Sequence, residues 1–249
     1  MFKFFVTEDQ IKDKIIDIIE DDVNHIKNVL RLEVEDKIEV CDINNSNNYL
    51  CKIIELNKKY VKCEIIEEIK NNNETNLYLH IFQGIPKAEK METIIQKTTE
   101  IGVSEITPLV MQRCIAKLDN KTSLKKVERW QKIAEVAAKQ SKRDKIPIIN
   151  LPINIKNVYE KLANYDIVLI AYEEEKNNAI KQILNKVPKK ENLKIAIIIG
   201  PEGGITKEEI KELSNENVKT VSLGKRILRT ETAPIVLASI IMYEFDEMG

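Results

Sequence analysis

The residues whose types and spacing most clearly suggest a ligand site form a glycine-rich loop, Gly200 to Gly204, of sequence GPEGG. The apolar run Ile195 to Ile199 precedes the loop, and Thr206 with Glu209 forms a capping box that starts a helix after it. Ligands of open α/β sheets bind beyond the carboxyl ends of strands, where glycines let the backbone approach them. The loop is therefore a candidate ligand site, with a sharp turn that binds nothing as the alternative. It is not a P-loop, because the Gly-Lys-Ser/Thr ending is missing.

A second turn from strand to helix spans residues 221–234, of sequence VSLGKRILRTETAP. Thr232 is the predicted N-cap, and Pro234 falls in the first helical turn. Arg229 and Glu231 lie in the loop between the two elements, where they could form an ion pair that fixes the loop or could serve a reactive site. A third strand end follows Leu169. The sequence predicts that these three strand ends converge on one pocket, which would hold a cofactor mostly through backbone groups.

The elements that must position these loops alternate between strands and helices. A continuous apolar run marks a strand that is covered on both faces in a parallel sheet, and alternation of this kind is typical of an α/β domain. One predicted helix presents an apolar face with a 3.6-residue period and ends at Gly102. The predicted elements are strands Leu77–Phe82, Glu105–Met111, Asp166–Ala171 and Ile195–Ile199, and helices Lys87–Ile101 and Leu124–Lys142.

The first seventy residues read differently, because their strands are short and separated by asparagine-rich turns. The predicted strands are Lys37–Ile43, Tyr49–Leu56 and Tyr60–Glu67. Their spacing suits a small barrel or sandwich. A short helix at Asp22–Leu32 is expected to carry His25, Val29 and Leu30 on one side. With Lys70–Glu74 as the linker, we predict a β domain at residues 1–72 and an α/β domain at residues 73–249.

Composition places the chain among ordinary globular proteins, with 43% hydrophobic and 32% charged residues in 249. No apolar run is long enough to cross a bilayer, and the N-terminus lacks the apolar core of a signal peptide. We therefore expect a cytoplasmic protein without a membrane partner. The four cysteines lack the spacing of a zinc or redox site, so we expect them to pack in the interior and we expect no metal.

The net charge of −1 hides an asymmetry along the chain. Residues 1–72 carry 11 basic and 16 acidic side chains, and the rest carries 28 and 24. Nine basic and three acidic residues fall within Lys121–Lys145. A local basic stretch of this kind can contact phosphates even in an acidic protein, although a solvated helix face has the same composition.

Several of these segments together resemble the RsmE family of SPOUT-class methyltransferases, which modify N3 of a uridine in 16S ribosomal RNA. The similar segments are Lys90–Ile106 (KMETIIQKTTEIGVSEI), Glu128–Ala134 (ERWQKIA), Gly200–Gly204, Leu223–Ala233 (LGKRILRTETA), Phe4–Val6, and His25–Ile26 with Val29–Arg31. The resemblance runs nearly from end to end. It implies an N-terminal PUA-like β-barrel followed by a SPOUT α/β domain with a C-terminal trefoil knot, and a homodimer that folds S-adenosylmethionine into the knot.

By this resemblance the second domain supplies the cofactor site and the catalytic groups. The N3 atom of uracil carries a proton that must be lost, so a base is needed, and so is a group that stabilises negative charge on the ring. Arg229 stays protonated and suits the second role, and Glu231 or Glu202 could accept the proton. The implied cofactor-binding residues are Leu169, Ala171, Tyr172, Gly200, Glu202, Gly204, Leu223, Gly224, Leu228, Thr232 and Ala233.

The implied partner is 16S ribosomal RNA, expected in the assembled small ribosomal subunit, with naked RNA as the alternative substrate. The expected RNA contacts are Lys3, Arg31, Arg113, Arg129, Lys139 and Arg143. Lys3 stands where the family commonly has arginine, and Val34-Glu35-Asp36 replaces a more usual Gly-Asp turn. The first departure bears on RNA binding, whereas the second touches only a turn of the barrel.

Two other functions compete with this interpretation. One is a different SPOUT methyltransferase, acting on a ribose 2′-hydroxyl or on transfer RNA; the run Leu228 to Ala233 favours the RsmE-like activity over it. The other is a non-catalytic RNA-binding factor of ribosome assembly. Such a factor would have damaged cofactor loops, whereas all three loops here keep their glycines or apolar ends.

Overall fold

The computed structural model of the chain describes residues 1–71, 73–115 and 119–248. The chain forms two compact units, the first made of Met1–Glu74 and Ala138–Ile146 and the second of the remaining residues. Residues 138–146 thus belong to the first unit although they follow a long stretch of the second. Nothing in the local sequence pattern marks this return.

The first unit is built on a six-stranded sheet. Its strands are β1 Lys3–Val6, β2 Ile11–Lys12, β3 Ile15–Ile19, β4 Lys37–Asp42, β5 Asn48–Leu56 and β6 Tyr60–Ile69, in the order β1-β4-β5-β6-β3-β2. β1 pairs with β4 in parallel, and the other neighbours are antiparallel. The three strands predicted between residues 37 and 67 are confirmed.

The short helix of the first unit ends earlier than predicted and contains a wider turn. α1 spans Asp21–Asn24 and continues as a wider, π-type turn at His25–Val29, closed by the bond from Leu30 N to His25 O of 2.9 Å. Val23 and Ile26 are buried, whereas His25 and Val29 are exposed. His25 and Val29 are therefore both on the exposed side, and the helix contains a wider turn that its sequence pattern did not predict.

Residues 138–146 are joined to the first unit by buried ion pairs. Lys3 Nζ lies 3.0 Å from Glu39 and also contacts Asp144, and only 1% of the Lys3 side chain is exposed. Glu74 accepts hydrogen bonds of 2.8 Å from Arg143 Nη2 and from Asp144 N. The predicted linker around residues 70–74 is therefore bound to residues 143–144 at its end.

We expect Lys3→Met to destabilise the protein by about 2 kcal/mol, because it leaves two buried carboxylates without their cation. The loss stays below the usual cost of breaking a buried pair, since Asn71 Nδ2 still donates to Glu39. Thermal denaturation of the full chain should show a lower midpoint. Exposed Lys12→Met is the control, and equal midpoints for the two variants would contradict the prediction.

The second unit is an α/β domain with a parallel sheet, as predicted. Its strands are β7 Tyr78–Gly84, β8 Glu105–Val110, β9 Ile148–Ile149, β10 Ile153–Asn154, β11 Ile167–Ala171, β12 Lys194–Ile199 and β13 Val218–Val221. The order is β10-β8-β7-β12-β11-β13, with β9 beside β8. The helices are α2 Lys90–Ile101, α3 Asn120–Gln140, α4 Ile155–Leu162, α5 Ile180–Leu184, α6 Lys207–Glu212 and α7 Thr232–Glu244.

The core of the second unit contains the apolar residues from which its strands and helices were predicted. Ile195–Ile199 is buried along its whole length because helices cover both faces of the central strands. The predicted apolar face of α2 is buried, and Gly102 ends the helix with φ +108°. Thr206 and Glu209 form the predicted capping box at the start of α6.

One helix boundary differs from the prediction. The N-cap of α7 is Glu231, and Thr232 is the first residue of the helix. The Glu231 side chain makes no capping hydrogen bond. Side-chain type alone favours threonine at an N-cap, but here Thr232 N and Ala233 N bond to the Arg229 carbonyl, which starts the helix one residue earlier. Among the described helices, none combines the length and apolar content that a bilayer span requires.

Candidate active site

The carboxyl ends of four parallel strands meet at one edge of the second unit's sheet. β7, β12, β11 and β13 are neighbours in that order, so the loops that follow them are adjacent. A cavity of about 420 Å³ lies at this edge. The three predicted loops, which follow β11, β12 and β13, all line it. This convergence is the arrangement that the sequence predicted.

Most of the expected cofactor-binding residues line this cavity. They are Ala171, Tyr172, Gly200, Glu202, Gly204, Leu223, Gly224, Leu228 and Ala233, and Arg229 lines it as well. Two expected residues do not. Leu169 is fully buried inside β11, two residues before the strand end, and Thr232 begins α7 with its side chain outside the lining.

The glycine loop is tight enough to exclude side chains. A Cβ on Gly200 would lie 2.8 Å from Ile205 Cγ1, and a Cβ on Gly204 would lie 2.7 Å from Glu173 Oε1. Gly204 also has φ +73°, a backbone conformation that other residues rarely adopt. Gly204 N donates to Pro201 O at 2.9 Å and closes the turn. These positions therefore require glycine for backbone reasons, and the main chain forms the cavity wall.

A buried threonine joins two of the loops. Thr230 Oγ1 donates to the Gly200 carbonyl at 2.7 Å and accepts from Gln83 Nε2 at 3.1 Å. Gln83 is fully buried near the end of β7. Neither residue is among those predicted from the sequence to line the site. A glutamine near the end of an otherwise apolar strand was the available signal, because a buried amide needs polar partners.

Lys90 is the second feature that sequence reasoning missed. It lines the cavity at the start of α2, after the loop that follows β7. Its Nζ lies 2.9 Å from Glu202 Oε1 and 3.3 Å from Glu231 Oε2. Glu231 itself does not line the cavity, so of these three side chains only Lys90 and Glu202 face the open space.

The two carboxylates beside Lys90 are in different environments. Hydrogen bonding to Glu202 raises the pKa of Lys90, so the ammonium stays charged. Burial raises the pKa of Glu202, but hydrogen bonds from Lys90 and from Lys87 N outweigh it and leave that pKa lowered. Glu202 thus holds the loop before α2 and is a weak base. Glu231 Oε2 is buried and makes no hydrogen bond of good geometry to a described residue beyond its ion pair with Lys90.

The structure contradicts two of the expected RNA contacts, whose side chains are buried in ion pairs, and it places a third in an ion pair that is only partly exposed. The side chains of Lys3 and Arg143 are 1% and 5% exposed and are bound to carboxylates of the first unit. Lys139 Nζ lies 2.8 Å from Asp22 in the same unit. Counting charges in the sequence could not reveal these pairings, because the acidic partners are distant along the chain.

The other three expected RNA contacts are exposed. Arg31 has φ +54° in the turn after the first helix, and Arg129 is exposed on α3 with its Nη2 2.8 Å from Glu92. Arg113 Nη1 donates to the Gly203 carbonyl at 2.7 Å. Arg113 therefore also supports the glycine loop.

Three of the four cysteines, Cys41, Cys51 and Cys63, pack in the interior of the first unit. Burial raises the pKa of Cys51 and of Cys63 to about 12, so both thiols stay protonated. In residues 1–71, 73–115 and 119–248, no group of three or more His, Cys, Asp or Glu side chains is placed to hold a metal ion.

Comparison with known proteins agrees with this geometry. Residues 73–242 match the RNA methyltransferase domain family, and residues 18–66 match the RNA methyltransferase PUA domain family. The ribosomal RNA small subunit methyltransferase E of Bacillus subtilis is 36% identical over 98% of this chain and 97% of its own length.

Two solved structures share the fold over nearly the full length. The ribosomal RNA small subunit methyltransferase E of Neisseria gonorrhoeae, bound to S-adenosyl methionine, is 27% identical with a TM-score of 0.85, covering 98% of this chain and 97% of its own. A Legionella pneumophila protein in complex with the cofactor SAM is 30% identical with a TM-score of 0.87, covering 97% of each chain. With a PUA domain before an RNA methyltransferase domain, and a glycine-walled cavity at the carboxyl edge of a parallel sheet, this chain belongs to the ribosomal RNA small subunit methyltransferase E family.

Proposed function

We propose that this protein transfers a methyl group from S-adenosylmethionine to N3 of a uridine in 16S ribosomal RNA of the small subunit. The observation that carries the proposal is the single cavity lined by the Gly200–Gly204 and Leu223–Ala233 loops, with Lys90 and its two carboxylates at its side. Relatives of the same family carry the small-subunit methyltransferase name, and one is solved with the donor bound.

The residues present fit this cofactor. The cavity wall is largely main chain, and Gly224 has open space where a Cβ would stand, with φ +109°. The groups that would hold the cofactor are the loop residues Ala171, Tyr172, Gly200, Gly204, Leu223, Gly224, Leu228 and Ala233. When bound, S-adenosylmethionine supplies an electrophilic methyl group carried on a sulfonium.

The protein's own task is to remove the N3 proton and to stabilise the charge that this leaves. As the N–H bond breaks, its electron pair stays on the ring and spreads to the ring oxygens. Arg229 and Lys90 are cations that line the cavity and can stabilise this charge. We assign proton acceptance to Glu231 through one water, because Glu231 lies outside the cavity lining and Glu202 is held as a weak base by Lys90 and Lys87 N.

The test is methyl incorporation from labelled S-adenosylmethionine into purified, unmodified small subunits, followed by mapping of the nucleotide. A methyl group on N3 blocks base pairing and should stop reverse transcription at a uridine. Resistance of one linkage to alkaline hydrolysis would instead indicate a ribose 2′-hydroxyl, and label only in transfer RNA would indicate the other substrate class. Calorimetry without any heat of S-adenosylmethionine binding would favour the assembly factor.

We also propose that the protein is a homodimer that covers α7. This helix is apolar on all sides, with Leu237, Ala238 and Ile241 buried against its own unit. Ile240 is only half-buried, and Tyr243 is 76% exposed. A helix that is apolar all round requires burial on its outer face too.

Tyr243→Glu is therefore expected to shift the protein from dimer to monomer, because a charge would have to be buried in the interface. Sedimentation velocity measures the shift. Tyr159→Glu is the control, since Tyr159 is also exposed but lies on α4. A Tyr243→Glu protein that sediments like the parent would refute this interface.

The expected trefoil knot belongs to the same proposal. β13 lies at the sheet edge beside β11, yet α7 returns to pack against β12, β7 and α2. The intervening loop passes beside the Gly200–Gly204 loop, where Thr230 bonds to Gly200. We propose that this crossing is the knot. A cytoplasmic location is proposed as well, because the substrate would be the small ribosomal subunit.

A further inference from the structure

The loop Gly224–Arg229, here called the cationic loop, combines features that cofactor binding does not explain. It lines the cavity, but its central residue Ile227 is 84% exposed, the largest exposure among the described large apolar side chains. Leu228, by contrast, is half-buried. A single exposed apolar side chain is ordinary on a protein surface, so Ile227 indicates a partner only together with its place beside the cavity and the cations around it.

The charges around Ile227 indicate what kind of partner this is. Lys225, Arg226 and Arg229 are cations, and within the part of the chain that the structure describes no carboxylate forms an ion pair with them. The basic residues predicted to bind RNA on and after α3 are different, since Arg129 and Arg143 are held by glutamates. Unneutralised cations beside the cavity complement a polyanion.

Hydrogen bonds hold the two ends of the cationic loop, while residues 225–227 at its tip are exposed. Gly224 N donates to Ser222 Oγ at 3.3 Å on one side, and Thr230 Oγ1 donates to Gly200 O at 2.7 Å on the other. Gly224 itself has no atom within 4 Å of its Cβ position. The loop therefore presents Ile227 at a defined place beside the cavity.

We propose that Ile227 packs against the bases next to the target nucleotide and keeps the target out of the stack, while Lys225 and Arg226 bind the flanking phosphates. The inference rests on the proposed function, because modification at N3 requires a base whose pairing edge is free. Apolar side chains inserted between bases are a known way to unstack nucleic acid, and base faces are the apolar surface that an RNA offers. The cationic loop thus serves the cofactor on its inner side and the RNA at its tip.

The test measures binding rather than turnover. Ile227→Ala is expected to weaken filter binding of purified, unmodified small subunits by ~10-fold, from the lost base contact. The affinity for S-adenosylmethionine should change by less than about twofold, and sedimentation should show an unchanged oligomeric state. Leu151→Ala, which truncates an apolar side chain of the same unit that is also half exposed, is the matched control and should bind as the parent does.

The charged residues have a separate readout. Lys225→Gln and Arg226→Gln should each reduce the slope of log affinity against log salt by about 0.7 to 0.9, since each removes one phosphate contact. Exposed Lys186→Gln is the matched control and should leave the slope unchanged.

Three outcomes would overturn the proposal. Parental subunit binding by Ile227→Ala would remove the base contact, and an equal loss of cofactor affinity would make Ile227 a cofactor residue. Conversion to a monomer would show that a second copy covers the cationic loop. Failure of the wild-type protein to methylate subunits that it binds through Ile227 would instead refute the proposed activity and leave this contact standing.

Discussion

Glu231→Gln is expected to lower the turnover number by about 10²- to 10⁴-fold, the usual contribution of a positioned acid or base. Glutamine keeps the shape of the side chain and can still accept from Lys90, but it cannot take a proton. The affinity for S-adenosylmethionine should change by less than about twofold, because Glu231 lies outside the cavity lining. Single-turnover methylation of small subunits measures the chemical step, and calorimetry measures the cofactor affinity.

Glu202→Gln is the matched comparison for this prediction. Glu202 and Glu231 both contact Lys90, but only Glu202 lines the cavity and holds Lys87 N. We expect Glu202→Gln to lose less turnover than Glu231→Gln. The reverse order would move the proton acceptor to Glu202, and parental turnover in both variants would remove the base from this cluster altogether.

The second large effect is expected at Gly204, where valine should weaken binding of S-adenosylmethionine by at least ~30-fold. A branched residue at φ +73° is strained by about 1–3 kcal/mol, and its Cβ would lie 2.7 Å from Glu173 Oε1. The exposed Glu173 side chain can move aside, but the positive φ belongs to the backbone, so valine favours a different conformation of the glycine loop, which forms a wall of the cavity. Calorimetric titration of the full-length protein measures the loss.

Gly102→Val is the control that distinguishes a specific loss of cofactor affinity from the general effect of a strained backbone. Gly102 also has positive φ, at +108°, but it ends α2 away from the cavity, and a Cβ there meets Met242 at an ordinary 3.4 Å. This variant should lose thermal stability and keep its cofactor affinity. If Gly204→Val binds the cofactor as tightly as the parent does, the glycine loop is not part of the binding site.

Features determined by short-range sequence were predictable. The Gly200–Gly204 loop is recognisable because side chains do not fit at its glycines. The start of α6 is recognisable because Thr206 and Glu209 cap each other's backbone N–H groups. The continuous apolar run of β12 likewise identified a strand covered on both faces. These local patterns place each of the three loops at the carboxyl end of a strand, and the strand order then brings the three ends together.

Features that depend on strand order or on ion pairs between distant residues could not be predicted from the sequence. Lys90 reaches the cavity only because β7 lies beside β12, and no local pattern states which strands are neighbours. Lys3 and Arg143 read as surface cations in the sequence, but Lys3 is bound to Asp144, 141 residues away, and Arg143 to Glu74, 69 residues away. A linear charge count weighs such residues equally with Arg226, whose cation has no partner in the described chain.

The wall formed by residues 223–233 has a consequence for the order of synthesis. Chains emerge from the ribosome amino-terminus first, and the strands Tyr78–Gly84 and Lys194–Ile199 are made long before α7. A nascent chain arrested before residue 223 would contain the sheet's central strands but only part of the pocket. The protein can take up its methyl donor only after residues 223–233 have been made and have folded against the earlier strands, so a shorter nascent chain has no complete cofactor site.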